Sequence, residues 1–591
     1  MERMKRTVTC GELTGSDKGR EVVLNGWVHR NRDHGGIHFI NLRDRYGITQ
    51  VVIDEDAEQS LKDKTEEIKF EFCIAVKGVV RTRPESMRNP DMATGDIEVA
   101  AADIQILSKC ETLPFVLEEK SNANEDLRLE YRYLDLRTAS MQRNIRLRHM
   151  VTLEARKYLG ENGFYEIETP TLIRSTPEGA RDFLVPSRLH TGKFYALPQS
   201  PQLYKQLLMV SGFDRYFQIA HCFRDEDPRG DRQLEHSQID MEMSFVSKED
   251  IFEIVEGMFA SIFKNTLDIE LKTPFARLGY QDAMDLYGSD KPDLRYEIKM
   301  QDFAPYAEKS DFGVFKKVLE DGGSIKALVA EGCNSFSRKN IDELERIAKQ
   351  YGAKGLAWMK VKDGTLDGGV GRFFADQADS IKSGLGAKDG DLILMVADKW
   401  KTACTALGAV RSELGKMLKL ADPNVFTFAW IVDFPLFEYN EERNGWDPAH
   451  HMFTMPQEQY LENMEEDPGA VKGDLYDLVC NGVELASGSI RIHDPEIQRR
   501  VFQIIGITEE DVEERFSFLL KAFQYGAPPH GGIAPGLDRL VMLMAGEPTI
   551  REVIAFPKNT QGISAVDMSP AYVGEEQLNE LNIQLRFPDF E

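Results

Sequence analysis

The first hundred residues of the chain alternate short apolar runs with polar turns. The runs are rich in β-branched, aliphatic and aromatic residues, and turn-like stretches such as RDHGG, RDRYG and MATGD separate them. This pattern predicts five strands and one helix. The strands are expected at 22–28, 38–42, 49–53, 72–80 and 97–107, and the helix at 57–69.

Five strands in about 110 residues are typical of a small barrel such as the OB-fold. Another small β-barrel or a β-sandwich would produce a similar pattern, so the pattern alone leaves these alternatives open. We take the OB-fold as the prediction for this part of the chain.

The pattern changes after residue 110. Apolar positions within 141–159 recur at near-helical spacing, and a strand at 164–169 follows and ends at Pro170. Further strands are expected at 356–361, 392–396 and 425–432. We therefore expect an α+β multidomain protein. Its predicted parts are a barrel at 1–110, a polar linker at 111–140, a first α+β segment at 141–290, an inserted α/β unit at 291–420, a second α+β segment at 421–560 and a C-terminal extension at 561–591.

The net charge argues against a protein that coats nucleic acid unspecifically, because such proteins are usually basic. The 591 residues include 72 Lys and Arg against 98 Asp and Glu, a net charge of −26. Residues 1–110 hold 17 of these cations and 19 of these anions, so they carry only −2 and the remainder carries −24. A polyanionic partner is therefore expected to meet the N-terminal part.

The seven cysteines are scattered and none forms a CxxC pair. This spacing predicts neither a zinc site nor a disulfide framework, and it is typical of a protein of the reducing cytoplasm. The N-terminal sequence MERMKRTVTC lacks the apolar region of a signal peptide, and no run of about 18 apolar residues is present that would cross a membrane.

Two common nucleotide-binding motifs are missing from the sequence. It contains no GxxxxGK[ST] and no strand-anchored GxGxxG, so any ATP must be held by other groups. A charged hairpin at 216–245 offers such groups, because Arg224 and Glu226 follow one strand and Arg232 precedes the next. A guanidinium can hold a phosphate in a bidentate fork. Taken by itself, the same cluster is equally typical of surface ion pairs.

Two further stretches are weak signals when each is considered separately. GGIAPGLDRL at 531–540 predicts a strand that breaks at Pro535 and leads into a helix carrying Arg539, which is also an ordinary strand–turn–helix corner. The helix at 141–159, with its following strand and Pro170, is ordinary packing too.

In this order and spacing, the three stretches resemble the three signature motifs of the class II aminoacyl-tRNA synthetases. Motif 1 would end at Pro170, motif 2 is FRDE at 223–226, and motif 3 is GIAPGLDRL. An N-terminal barrel narrows the resemblance to subclass IIb. The stretches that resemble the bacterial-type aspartyl-tRNA synthetases are 176–183, 196–209, 446–454 and 481–493. The resemblance implies an OB-fold barrel, a class II synthetase catalytic domain built on an antiparallel sheet, and an inserted α/β GAD domain.

The resemblance also implies a site for L-aspartate. Arg491 would bind the side-chain carboxylate and Lys205 would add a second positive charge, a task that suits a guanidinium. Asp240 would hold these cations and the substrate ammonium. The other implied aspartate-binding residues are Glu178, Ser200, Gln202, Arg224 and His450, with His451 beside it, although adjacent histidines are more often structural.

For ATP, the resemblance implies three catalytic residues. Arg224 would bind the α-phosphate, Glu226 would contact the adenine side, and Arg539 would bind the γ-phosphate while packing on the base. The further implied ATP-binding residues are Asp225, Gln233, Glu484, Gly536, Leu537 and Asp538. Asp477 and Glu484 resemble carboxylate ligands of Mg²⁺, which prefers oxygen ligands and usually bridges phosphates.

The implied reaction needs no protein nucleophile. The α-carboxylate of aspartate would attack the α-phosphorus of ATP in line and pyrophosphate would leave, after which a terminal tRNA hydroxyl would attack the aspartyl-adenylate. Catalysis would consist mainly of positioning and charge neutralisation.

In the barrel, Phe39, Gln50 and Glu98 resemble anticodon readers, because an aromatic ring can stack on an unpaired base and polar groups can read its edge. By pattern alone, Phe39 could equally be a core aromatic. His34 and Ser86 occupy two positions that family comparisons tie to tRNA choice, and they favour charging of tRNA-Asn as well as tRNA-Asp. The family also implies a homodimer formed through the motif 1 region.

Two other classes of function remain open at this stage. One is an amide-forming ligase of the aspartate–ammonia type on the same catalytic fold, against which the N-terminal barrel argues. The other is a non-catalytic tRNA-binding paralog, which is expected to lack Arg224, Glu226 or Arg539, all of which are present.

Overall fold

The computed structural model describes residues 4–176 and 180–586, and the chain divides into two compact units, Met1–Arg143 and Asn144–Glu591. The first unit contains a closed barrel with strand order β1-β2-β3-β5-β4, in which only β3 and β5 pair in parallel. Its elements are β1 (Glu21–His34), β2 (Ile37–Asp44), β3 (Gly47–Ile53), α1 (Gln59–Glu67), β4 (Cys73–Thr82) and β5 (Ile97–Ser108). The predicted five-stranded barrel is thus confirmed.

Pairing of β1 with β4 closes this barrel, and alternation of apolar and polar residues fills its interior. Leu24, Val28, Ile40 and Leu42 point inward and are fully buried, and their strand neighbours face outward. The segment predicted as a polar linker contains two short helices, α2 (Glu125–Glu130) and α3 (Arg132–Asp135). Asn124 caps α2 by accepting a hydrogen bond from a backbone N–H, so the linker is more ordered than its polarity suggests.

The long amphipathic helix α4 (Ala139–Glu161) crosses from the first unit into the second. The strands that follow are β6 (Tyr165–Glu166), β7 (Leu184–Pro186), β8 (Phe194–Ala196), β9 (Arg215–Phe223), β10 (Glu235–Ser244), β11 (Ala276–Gly279), β12 (Met300–Asp302), β13 (Ser324–Ala330), β14 (Ala357–Lys362), β15 (Thr365–Asp367), β16 (Leu392–Asp398), β17 (Phe428–Val432), β18 (Phe437–Asn440), β19 (Gly445–Pro448), β20 (Leu475–Cys480), β21 (Val483–Ile490) and β22 (His530–Pro535).

Thirteen further α-helices follow α4 in the described part of the second unit. They are α5 (Gln202–Val210), α6 (Lys248–Leu267), α7 (Tyr280–Tyr287), α8 (Ala304–Ala307), α9 (Gly313–Glu320), α10 (Arg338–Gln350), α11 (Ala378–Leu385), α12 (Trp400–Met417), α13 (Pro495–Ile504), α14 (Glu509–Arg515), α15 (Ser517–Phe523), α16 (Leu537–Ala545) and α17 (Glu575–Glu580).

The larger sheet has eight strands in the order β11-β17-β20-β21-β22-β10-β9-β6. Its central pairs are antiparallel, and the strands at its two edges pair in parallel with their neighbours. One face of the sheet packs against α4, α6 and α16 to form the main core, which includes Ile239, Met241, Phe252 and Trp430. Strand β6 covers only two of the six predicted residues, because only Tyr165 and Glu166 pair with β9.

The inserted α/β unit has its own sheet, in the order β12-β13-β16-β14-β15. Helices α10 and α12 cover one of its faces, and a second cluster of apolar residues fills the other. The strands predicted at 356–361 and 392–396 are confirmed as β14 and β16. Throughout the described ranges, helices are too short or too polar to cross a lipid bilayer.

Candidate active site

A cavity of about 500 Å³ lies beside the strands β9, β10, β21 and β22 of the larger sheet. Residues far apart in sequence meet in it because these strands are neighbours. The predicted site residues that line it are Ser200, Gln202, Lys205, Arg224, Glu226, Gln233, Asp240, His450, Glu484, Arg491, Gly536, Asp538 and Arg539.

The cavity contains a buried network of two cations and two carboxylates. Lys205 Nζ lies 2.9 Å from Asp240 Oδ2 and 3.3 Å from Glu242 Oε2. Arg491 donates from Nε to Glu242 Oε1 at 2.9 Å and from Nη2 to Oε2 at 3.2 Å. Its Nη1 donates to His451 Nε2 at 2.6 Å. Four buried charges are tolerated only when they are paired and hydrogen-bonded in this way, because an unpaired buried charge is strongly destabilising.

Strand alternation along β10 places both carboxylates on the cavity side. Asp240 lines the cavity and Glu242 pairs with the lining cations Lys205 and Arg491, whereas Ile239, Met241 and Met243 point into the main core. Gly532 on the neighbouring strand β22 makes room for the Glu242 carboxylate, since a Cβ at that position would lie 1.9 Å from Oε2.

The electrostatic effects within this network differ from residue to residue. Burial raises the pKa of Asp240 above its ordinary value, although Lys205 opposes the shift. Burial also acts to raise the pKa of Glu242, but Arg491 and Lys205 outweigh it and the net shift is downward. Burial and the Arg491 charge together hold the pKa of His451 well below its ordinary value, so this ring is neutral and can accept from Arg491.

Four buried polar atoms of residues that line the cavity lack a hydrogen-bond partner within the described parts of the chain. They are Asp240 Oδ1, Gln202 Nε2, Arg224 Nε and Gln233 Nε2. An unpaired buried polar atom is costly, and such atoms concentrate where a ligand completes the bonding. The site therefore offers one free carboxylate oxygen beside its cations.

The predicted hairpin of β9 and β10 is confirmed, with residues 223 and 235 as a register pair. Arg224 lies just beyond β9 and is fixed by its backbone N–H, which donates to Leu234 O at 2.8 Å. Glu226 forms an ion pair with Arg232. Asp225 is exposed and does not line the cavity, which differs from its expected place among the ATP-binding residues.

The turn from β22 into α16 places Arg539 at the cavity. Its Nη1 donates to the backbone oxygen of Glu484 at 3.1 Å, and its Nη2 donates to Asp231 Oδ2 at 3.3 Å. The side chain of Leu537 is buried in the main core and does not line the cavity, and the expected contact of this residue with ATP stays a prediction.

Asp538 borders the cavity, but its two carboxylate oxygens are both engaged by the protein. Arg148 binds one of them, and the backbone N–H of Ser237 donates to the other at 2.8 Å. These contacts hold α16 against α4 and β10, and the expected contact of Asp538 with the nucleotide stays a prediction.

Asp477 and Glu484 lie on the adjacent strands β20 and β21. Burial raises the pKa of Asp477 to about 7, with His450 opposing the shift and Glu484 adding to it. Its Oδ1 has no hydrogen-bond partner among residues 4–176 and 180–586. Over the same residues, groups of three or more side chains suited to hold a metal ion are absent. Two carboxylates fit Mg²⁺ when phosphate oxygens complete its coordination.

The structure gives the two histidines separate surroundings. His450 Nδ1 lies 3.3 Å from Ser487 Oγ, and its Nε2 lies 3.9 Å from Asp477 Oδ2. His451, in contrast, contacts Arg491. Gln233 lines the cavity and accepts the backbone N–H of Lys558 at 2.9 Å. Glu178 lies outside the described residues.

Sequence reasoning missed several residues in or directly behind the cavity lining, and Glu242 and His236 are two of them. Glu242 pairs with both Arg491 and Lys205, and its position in the QIDMEM strand, two residues after Asp240, was a usable signal. His236 also lines the cavity, and burial together with the Arg224 and Arg539 charges lowers its pKa to about 3. The sequence around His236 carries no comparable signal.

In the barrel unit, the three expected anticodon readers share one outer face. Gln50 Nε2 donates to Glu98 Oε2 at 2.8 Å, and Arg81 donates to Glu98 Oε1 at 2.7 Å. Phe39 is half-buried and its ring meets the exposed His34 edge to face, with centroids 6.1 Å apart. Ser86 is exposed in a short 3-10 helix, Glu85–Met87.

Comparison with known proteins gives a consistent result. A family described as tRNA synthetases class II (D, K and N) matches residues 124–560, and an OB-fold nucleic acid binding domain matches residues 22–107. An aspartate–tRNA(Asp/Asn) ligase of Treponema denticola is 62% identical over 99% of this chain and 100% of its own length. An aspartate–tRNA ligase of Macrococcus caseolyticus is 48% identical over 99% of each chain.

A solved structure with a similar fold is the asparaginyl-tRNA synthetase of Pyrococcus horikoshii complexed with asparaginyl-adenylate. Its TM-score is 0.59 with 18% identity, and the alignment covers 94% of this chain and 98% of that one. At this identity the likeness concerns the fold alone.

Proposed function

Since this chain belongs to the class II tRNA synthetases of the aspartate, lysine and asparagine group, we propose that it is an aspartate–tRNA ligase. It activates L-aspartate with ATP and transfers the aspartyl group to the 3′ end of tRNA. The observation that carries the proposal is the single cavity that joins the buried Lys205–Asp240–Glu242–Arg491 network to Arg224 and Arg539.

The network suits an amino acid that has a second carboxylate. Lys205 and Arg491 are donors only, so they favour the acceptor-only carboxylate of aspartate over an asparagine amide, whose N–H groups would face other donors. The unpaired Asp240 Oδ1 is available for the substrate ammonium. Gln202 Nε2 supplies a further donor at the same wall.

ATP occupies the other part of the same cavity. Arg224, with its unpaired Nε, neutralises the α-phosphate at which the aspartate carboxylate attacks, and Arg539 binds the phosphates that leave as pyrophosphate. Asp477 and Glu484 are the residues that would hold Mg²⁺, which supplies charge neutralisation at the phosphates when bound. The protein contributes mainly orientation, since no nucleophilic side chain is required.

We propose that the enzyme charges both tRNA-Asp and tRNA-Asn. His34 is exposed beside Phe39, and Ser86 is small and exposed, so neither side chain adds a bulky cation to the barrel surface. The Treponema denticola relative carries the Asp/Asn name, whereas the Macrococcus caseolyticus relative carries the aspartate name alone. Aminoacylation of purified tRNA-Asn decides the question, and charging no higher than background would restrict the enzyme to tRNA-Asp.

We further propose a cytoplasmic homodimer. Exposed apolar side chains cluster in the motif 1 region, at Leu153 on α4, Tyr165 on the edge strand β6 and Leu172 just beyond it. An edge strand with exposed apolar neighbours is suited to pairing with a second copy. All seven cysteines are free thiols, in keeping with a reducing compartment.

The central experiment measures aspartate-dependent ATP–pyrophosphate exchange. Arg224→Ala is expected to abolish exchange without unfolding the protein, while the exposed-loop variant Arg188→Ala retains wild-type rates. Near-normal exchange in a folded Arg224→Ala protein would overturn the assignment. Asparagine synthesis from aspartate and ammonia without tRNA would instead identify the amide-forming alternative.

A further inference from the structure

Lys291 reaches the active-site cavity from the connection that leads into the inserted α/β unit. This connection joins α7 to β12 and follows Gly288. Lys291 and His450 line both the active-site cavity and a second cavity of about 640 Å³ between the inserted unit and the catalytic sheet. No part of the proposed reaction has so far used this lysine.

Lys291 shares a carboxylate with Arg539. Its Nζ lies 4.0 Å from Glu484 Oε2, and Arg539 Nη1 lies 3.7 Å from Glu484 Oε1. About half of the Lys291 side chain is exposed, so the ammonium is accessible from the cavity. Lys291 and Arg539 therefore present two cationic donor groups at the same wall, and charged donors of this kind suit a polyanionic phosphate chain.

Helix α12 of the inserted unit fixes the connection that carries Lys291. Gly288 has φ +69° and packs directly on the helix, where a Cβ at Gly408 would lie 2.5 Å from Gly288 O. Arg411, which is 1% exposed, donates to the backbone oxygens of Asp293, Tyr296 and Ile298 at 2.6–3.1 Å. The backbone on both sides of Lys291 is therefore held by one helix.

We propose that Lys291 binds the pyrophosphate end of ATP together with Arg539, and that the inserted unit serves as the scaffold that positions it. The ammonium donates hydrogen bonds to the phosphate oxygens that leave as pyrophosphate, and it forms no covalent bond. This inference rests on the proposed function, since it assigns a further residue to the same ATP site.

The test is aspartate-dependent ATP–pyrophosphate exchange, with separate KM values for ATP, pyrophosphate and aspartate. Lys291→Ala is expected to raise KM for pyrophosphate and ATP about tenfold, the effect of one charged hydrogen bond, and to leave KM for aspartate unchanged. Lys291→Arg keeps the charge and should recover most of the loss. The matched control Lys299→Ala removes a lysine of similar exposure, paired with Glu297, and should behave as wild type.

The outcomes separate this inference from the proposed function. Wild-type protein without aspartate-dependent exchange would refute the function itself. Wild-type exchange with unchanged phosphate KM values in Lys291→Ala would refute the role of Lys291 alone. The role of Lys291 would also be refuted if Lys299→Ala raised the KM for pyrophosphate and ATP equally, or if Lys291→Arg did not recover the wild-type KM values.

The scaffold role is tested by Gly408→Ala, which pushes Gly288 away and leaves every charge in place. The KM of Gly408→Ala for pyrophosphate should rise to the level of Lys291→Ala. It should rise no further in the double variant, because both substitutions remove the same interaction between Lys291 and the phosphates. Gly313→Ala is the control, since nothing lies within 4 Å of a Cβ there. Arg411→Lys provides a second route if Gly408→Ala does not fold. If the increases in KM caused by Gly408→Ala (or Arg411→Lys) and by Lys291→Ala were additive in the double variant, the scaffold role of the inserted unit would be contradicted.

Discussion

Glu242 holds the Arg491 guanidinium through two hydrogen bonds of 2.9 and 3.2 Å, and both side chains are almost completely buried. The two residues are 249 positions apart in sequence and meet because β22 lies between β10 and β21. The pair fixes the plane of the guanidinium in the proposed aspartate site. Preorganised donors cost no rearrangement when the substrate binds.

We therefore expect Glu242→Gln to weaken aspartate binding selectively. The glutamine amide turns N–H groups toward Arg491 and Lys205, so both cations lose a charged partner. KM for aspartate should rise tenfold or more, roughly the value of a charged hydrogen bond, while KM for ATP changes little. Exchange kinetics measure both constants. Glu253→Gln, on the exposed face of α6, is the control. Equal rises in the KM for aspartate and the KM for ATP of Glu242→Gln would contradict a selective role of Glu242 in aspartate binding.

Asp538 is expected to act through the protein and not through the nucleotide. Asp538→Asn should lower the melting temperature, because a carboxylate bound to Arg148 and to the Ser237 N–H contributes about 1–3 kcal/mol. Arg148→Met should lower the free energy of unfolding by a similar amount. Thermal unfolding of the two variants and their combination tests the coupling, and fully additive losses would show that the ion pair contributes nothing.

The local elements were predictable because their patterns are strong. The five barrel strands, the hairpin of β9 and β10, and the strand and helix around Pro535 follow from alternation and turn residues. The boundaries of these elements were less predictable from the sequence. Strand β6 is short because its pairing with β9 stops at Glu166, and that depends on a partner about fifty residues away.

The sequence predicted many of the residues that meet in the cavity, but not the contacts between them. Arg491 and Lys205 were expected to act on aspartate, yet their shared partner Glu242 was missed, since the order of strands in the sheet is not visible in the sequence. The turn of α16 shows the same limit. Residues 536–539 are consecutive, but helical geometry sends Leu537 into the core and Arg539 into the cavity.

His451 should make the stability of the protein sensitive to acid. Its pKa in the folded state lies well below the unfolded value near 6.5, so the unfolded chain binds the extra proton and stability is lost as the pH falls below about 6.5. This loss reaches about 1.4 kcal/mol per pH unit. Between pH 7.5 and 5.5, the melting temperature should fall more steeply for wild type than for His451→Gln. The exposed-residue control His190→Gln should follow wild type, and parallel curves for wild type and His451→Gln would contradict the prediction.

Phe39 offers a test of the barrel that is independent of the catalytic chemistry. Its half-buried ring lies on the outer face with Gln50 and Glu98, and stacking of one base on an aromatic ring contributes about 1–3 kcal/mol. Phe39→Leu should therefore raise KM for tRNA about tenfold in aminoacylation. It should leave aspartate-dependent ATP–pyrophosphate exchange unchanged, because that step uses no tRNA. Phe70→Leu changes another exposed aromatic of the same unit and is expected to keep the wild-type KM. If Phe39→Leu charged tRNA normally, its ring would serve only the packing of the barrel, and if it impaired exchange as well, the substitution would act through folding.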